Sequence, residues 1–214
     1  MSEESARLAQ VVAAIDAANA RDPHTVEVEG RREPAELVYG RRMSATLERI
    51  SPPAAQQKAS EHLRIAARGQ HIERWTSPRK SYPEGRAGYL KWRKDLKEFH
   101  ARRVGEIMAA AGYGAGDIGR VGVLIRKERL KADAETQMLE DVVCVVFLEH
   151  YLGEFIGKTD RAKLPGILAK TWNKMSPLGR AKALELNLSS DVQALLDEGL
   201  AQLRAGGARQ SAAE

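Results

Sequence analysis

With one cysteine, Cys144, and that inside an apolar run, the chain can build neither a disulfide framework nor a thiolate zinc site. Aromatic residues are scarce at 5 %, which disfavours a sheet-rich core, since strands draw on β-branched and aromatic side chains. The longest uninterrupted apolar run is Val142 to Leu148, far short of the roughly 20 residues a membrane span needs. The first residues, MSEESARLAQ, are acidic and contain no apolar core of the secretory type. These absences point to a cytoplasmic protein with no membrane partner.

What is present is a helical alphabet. Ala, Leu, Arg, Lys and Glu dominate a chain of 214 residues, enough for one ordinary domain with a real core. The expected fold is all-α: a single compact domain of about eight helices over residues 1–205, followed by a disordered tail at 206–214. Leu8, Val11, Val12, Ile15 and Ala18 follow helical spacing and end near Asp22-Pro23. The stretch from His24 to Arg32 alternates briefly but offers no second strand, and reads as a loop. Pro34 suits the first turn of a helix to about Ile50. A central helix is expected from Ala54 to Trp75, a long one from Ala87 to Ala111, and a short one over Ile118 to Lys127 capped by Asp117. A buried one follows from Glu135 to Phe155, and three more cover Leu164 to Met175, Pro177 to Leu188 and Asp191 to Leu203.

The chemistry concentrates in the central segment, EHLRIAARGQHIERW. On one helix its apolar residues fall on two faces, so Gln70, His71 and Arg74 are expected to point into protein or a cleft. Charge supports an anionic partner there. The net charge of the chain is +5, but Glu61 to Gly105 holds twelve Lys or Arg against five Asp or Glu, leaving the remainder at −2. The loop TSPRKSYPEGR cannot be regular helix and brings Arg79, Lys80 and Arg86 to the same region; arginine binds phosphate or carboxylate in a two-pronged way. Arg68, Arg74, Arg93 and Lys127 complete the cationic company, with Gln70 as a polar contact. His71, His100, Glu140 and Asp141 are the ionisable groups beside expected core. Imidazole and carboxylate from several helices suit a divalent metal that activates water against a phosphoester, with His71, His100 and Asp141 as ligands.

The segment Ala66 to Arg74, AARGQHIER, resembles the AAxxHDIxR signature of HD-superfamily metal-dependent phosphohydrolases. In that comparison Gln70 stands at the family's histidine position and His71 at its aspartate position. Leu139-Glu140-Asp141 resembles the late motif whose aspartate is a metal ligand, while Tyr39 to Met43, YGRRM, supplies no counterpart of the early histidine. Over the whole chain the match is closer to domain-of-unknown-function family 4202, carried by IAARGQHIERW, PRKSYPEGRAGYLKWRKDL, LEDVVCVVFLE and KTWNKMS. The first resemblance implies an HD-like fold and hydrolysis of a phosphorylated small molecule or nucleotide; the second implies no chemistry. Lys174-Met175-Ser176 resembles a class I aminoacyl-tRNA synthetase motif, but the nucleotide-binding parallel sheet that motif requires has no βαβ pattern here.

Two other readings compete. The basic segment with Trp75, Tyr82, Tyr89 and Trp92 could bind nucleic acid by stacking. Alternatively, the central polar network is purely structural in a protein-interaction module.

Overall fold

The computed structural model describes residues 3–51 and 59–211, with side chains placed for 5–51 and 59–201. The protein is all-α, as composition dictates. Ten α-helices are present among the described residues, with one two-stranded antiparallel hairpin. The chain packs as two compact units, Met1–Leu139 and Glu140–Glu214.

The first unit opens with α1, Glu3–Asn19, and the hairpin of β1, Thr25–Val28, and β2, Arg31–Pro34. That hairpin corrects the loop reading. Its second strand, Arg-Arg-Glu-Pro, has no β-forming residue to announce it, and Thr25 pairs with Pro34, Val28 with Arg31. The turn between them places both Glu29 and Gly30 at positive φ, the geometry whose twist matches the flanking strands. Then follow α2, Ala35–Ile50; α3, Glu61–Gly69; α4, Gly85–Ala110; α5, Ala115–Arg126; and the first turns of α6, Ala134–His150. Val11 and Ile15 from α1, Met43 and Leu47 from α2, Leu63 and Ile65 from α3, Val104 and Met108 from α4, and Leu124 and Ile125 from α5 are all buried.

α3 is central, packing on α1, α2, α4 and α5, but it is shorter than its sequence pattern suggests. It starts at Glu61, with Ser60 capping through a hydrogen bond from Leu63 N–H (3.1 Å). It ends at Gly69; the expected start at Ala54 lies outside the described residues. Beyond Gly69 the backbone turns and reaches Glu73 at φ 50°, in the left-handed region, before a 3₁₀ turn at Arg74–Thr76. Gly69 also lets α3 approach α4: a Cβ there would stand 2.4 Å from Val104 Cγ2. Gly69→Ala is therefore expected to lower stability by about 1–3 kcal/mol through overpacking. Gly119→Ala, on the open face of α5 with nothing within 4 Å, should raise it by about 0.5–1 kcal/mol. Urea denaturation of the two variants checks the contrast.

The second unit holds the rest of α6, α7, Leu152–Lys158, α8, Leu164–Lys174, α9, Pro177–Leu184, and α10, Ser190–Ser211. The helix expected to run unbroken to Phe155 is interrupted at Tyr151, which separates α6 from α7. Its core gathers Cys144, Leu148, Leu152, Leu164, Leu168, Met175 and Leu195. Cys144 is thus the small core residue its surroundings imply. α10 extends past the expected end at Leu203; residues 212–214 of the expected tail lie outside the described residues.

Candidate functional site

The bend after α3 is fastened from two sides. Glu73 N–H donates to Asn19 Oδ1 (2.9 Å) at the end of α1. The Glu73 carboxylate accepts from Arg21 (2.8 Å) and from Arg103 of α4 (2.7 Å). Buried Ile72 anchors the middle of the bend, so its neighbours His71 and Arg74 are presented by a turn rather than by the helix face the sequence pattern implied.

His71 is met there by α2. The Tyr39 ring stacks on the imidazole at 4.0 Å between centroids and 10° between planes. Glu36 Oε2 lies 3.6 Å from His71 Nδ1, and Arg74 Nη1 lies 3.4 Å from the same nitrogen. A guanidinium only donates, so Nδ1 accepts and the ring hydrogen sits on Nε2. Burial holds the His71 imidazole well below the usual range of protonation, and the charges of Arg74, Lys127 and Arg93 push it the same way. His71 is neutral at ordinary pH.

Glu36 is the residue that sequence reasoning missed. An acid in the first turn of a helix reads as a partner of the helix dipole, and nothing in the sequence says otherwise. Here Asp22 takes the capping role that Pro34 cannot, accepting from Glu36 N–H (3.0 Å) while its other oxygen accepts from His24 N–H (2.9 Å). The Glu36 side chain is left only 15 % exposed. Burial raises its pKa from the ordinary carboxylate value to about 7; Arg74 opposes the shift and Asp22 adds to it.

His100, from the middle of α4, completes the group. Its ring lies 5.9 Å from that of His71, and its Nδ1 is 2.8 Å from Ile72 O. Burial lowers its pKa to about 3, with His71, Arg74 and Arg93 pushing the same way against the hydrogen bond that His100 donates to Ile72 O. The Arg74 guanidinium stands over the Trp92 ring, 5.3 Å from its centroid, and Lys127 closes α5 in the left-handed conformation at φ 58°. The structure therefore brings together Glu36, Tyr39, His71, Arg74 and His100, with the charges of Arg93 and Lys127 bearing on both or one of the imidazoles.

Other expected members have different occupations. Arg68, expected to grip an anion, forms a two-pronged ion pair with Asp16 (2.6 Å at each contact) and reaches Ser44 (3.3 Å), tying α3 to α1 and α2. Arg79 donates to Tyr82 O (3.0 Å) and Gly85 O (3.3 Å), shaping its own loop. Lys80 and Arg86 are exposed. Gln70 is buried. Glu140 and Asp141 belong to the second unit, where Asp141 accepts from Ser176 N–H (2.8 Å) and Ser176 Oγ–H (2.5 Å). Ser176 in turn caps α9 through Gly179 N–H (3.2 Å), and Glu140 lies 3.7 Å from Lys174.

The divalent-metal expectation meets the same difficulty. Among the described residues no group of three or more His, Cys, Asp or Glu side chains is placed to hold a metal ion. His71 Nδ1 faces Arg74, His100 Nδ1 carries a hydrogen directed at Ile72 O, and both Asp141 oxygens serve Ser176. Among the described residues His71, His100 and Asp141 are therefore not gathered into a metal-holding group.

The profile described as a domain of unknown function, DUF4202, matches residues 9–196. The chain belongs to the DUF4202 family. No curated protein and no solved structure matches it. In this DUF4202 protein no helix among the described residues is long and apolar enough to cross a membrane. The aromatic rings offered for base stacking are mostly engaged: Trp92 is buried and donates to Ser77 O (2.9 Å), and Tyr82 donates to Asp95 (3.1 Å). Trp75 is half-buried, and Tyr89 is largely exposed.

Proposed function

We propose that this DUF4202 protein hydrolyses the phosphoester of a phosphorylated small molecule or nucleotide at the Glu36–His71–Arg74 cluster, as a divergent HD-like hydrolase. The supporting observation is the convergence on one imidazole nitrogen of a carboxyl group at 3.6 Å and a guanidinium at 3.4 Å. Around them Arg93 and Lys127 add positive charge. Cations grouped with the ring N–H of neutral His71 make a receptor for an anion, and a carboxyl group with a pKa of about 7 exchanges a proton at working pH.

The roles follow from that chemistry. Arg74, Arg93 and Lys127 balance the phosphate charge, and His71 Nε2–H donates to a phosphoryl oxygen. Ionised Glu36 takes a proton from a water molecule as the water oxygen bonds to phosphorus. The phosphorus–oxygen ester bond breaks, and the departing oxygen receives the proton back from Glu36. Tyr39, stacked on His71, keeps that ring in register.

The test is a phosphoester hydrolysis screen of the purified full chain, followed by His71→Ala. Loss of turnover by about 100-fold or more with the fold retained is expected. Unchanged folding together with unchanged phosphate binding and turnover would remove the reading. Since three of the four candidate stacking rings are buried or half-buried, the nucleic-acid reading gains no comparable support.

A further inference from the structure

Among the described residues, His100 Nε2 and Gln70 Oε1 are buried acceptors left without a partner. His100 is 3 % exposed. Its Nδ1 contacts a carbonyl oxygen, Ile72 O at 2.8 Å, and a carbonyl only accepts, so Nδ1 carries the ring hydrogen and Nε2 is a bare acceptor. Among the described residues no hydrogen-bond donor reaches that Nε2, nor does one reach Oε1 of Gln70, which is 6 % exposed and immediately precedes His71. Buried acceptors are seldom left unfilled in folded proteins. The His100 ring lies 5.9 Å from that of His71, so a donor reaching it stands a few bonds from an anion held by His71 and Arg74.

We infer that the ligand is a phosphomonoester carrying a free hydroxyl group close to its phosphate, and that His100 Nε2 accepts the hydrogen of that hydroxyl. His100 is thus the residue that selects polyol- or sugar-type phosphates over plain alkyl phosphates. The inference rests on the phosphate-binding reading of the same site. An ammonium group is also a donor, but Arg74 and Arg93, whose charges already bear on the His100 ring, would repel it; a hydroxyl suffers no such penalty. Recognition of a hydroxyl by a buried acceptor also discriminates strongly, because an analogue without it leaves the acceptor dry.

Isothermal titration of the full chain with glycerol 3-phosphate, n-propyl phosphate, 2-aminoethyl phosphate and inorganic phosphate tests this. Glycerol 3-phosphate should bind at least about 10-fold more tightly than n-propyl phosphate, which has the same charge and nearly the same length. In His100→Asn the amide N–H takes the place of Nδ1–H and still reaches Ile72 O, but the Nε2 acceptor is gone. That variant should keep its affinity for n-propyl phosphate and show less than about a twofold preference. Equal binding of the two esters by the unsubstituted chain, as when a water molecule fills the position, overturns the inference and leaves phosphate binding standing. Tighter binding of 2-aminoethyl phosphate overturns the assignment of a hydroxyl. Absence of binding by every probe, inorganic phosphate included, removes both this inference and the proposed hydrolase. If His100→Asn fails to fold, the comparison of esters on the unsubstituted chain decides alone.

Discussion

Replacing Glu36 by Gln should make the protein more stable in mild alkali while removing the proposed hydrolysis. The carboxyl group has an ordinary pKa near 4.5 when unfolded and about 7 in the fold, so the folded state binds the proton more tightly. Its contribution is present in full below pH 4.5 and is lost as the pH rises through 7. A shift of that size corresponds to on the order of 3 kcal/mol. Glutamine keeps the shape of the protonated acid and cannot ionise, so Glu36→Gln should gain on the unsubstituted protein by on the order of 3 kcal/mol between pH 4 and pH 8. The two histidines act in the opposite sense, because their folded pKa values are lowered and their contribution is lost as the pH falls below about 6.5. Taking the difference between the variant and its parent at each pH removes that background. Urea unfolding at a series of pH values supplies the curves, and a flat difference would show that Glu36 ionises freely. Turnover, measured alongside, should fall by about 100- to 10,000-fold.

Asp141→Ala should behave in the reverse manner, with stability lost and the chemistry proposed for the first unit spared. The carboxylate is 1 % exposed and receives both the N–H and the hydroxyl hydrogen of Ser176. Alanine leaves the half-buried Ser176 N–H without that acceptor and loosens the cap of α9, a loss on the order of 3 kcal/mol for two hydrogen bonds to a charged group. Thermal and denaturant unfolding measure it, and ligand affinity of the folded variant provides the second readout. Full stability with lost phosphate affinity would instead place Asp141 in the ligand site and restore the role its HD-like context implied.

These two acids show what a sequence can and cannot express. Asp141 stands at the start of an apolar run, and a buried acid there has to be satisfied by something; the pattern does not say whether a backbone N–H or a ligand satisfies it. Glu36 has the inverse problem, since its position in a first helical turn is ordinary and its burial depends on Asp22 and His71, both distant in the chain. Arg68 likewise looked free for an anion because its partner, Asp16, lies on another helix. Helices with long apolar periodicity, such as α4 and α8, were legible almost to the residue. The bend at Gln70 to Glu73 was not, because glycine marks only its start and the left-handed residue is a glutamate. The hairpin escaped for a related reason: pairing in a two-residue turn, rather than strand propensity, creates β2. That His71, Arg74 and His100 lie close together follows from polarity beside core, a signal that survives an error in local backbone conformation.

The bend that carries His71 also determines when the site can exist. Glu36, His71, His100 and Lys127 are spaced roughly thirty residues apart along the chain, and none is held by its sequence neighbours alone. No peptide cut from the chain can reproduce their arrangement, and a nascent chain lacks it until α5 has emerged and docked. The proposed chemistry would be acquired only on completion of the first unit, leaving partly made or partly unravelled molecules inert rather than indiscriminate.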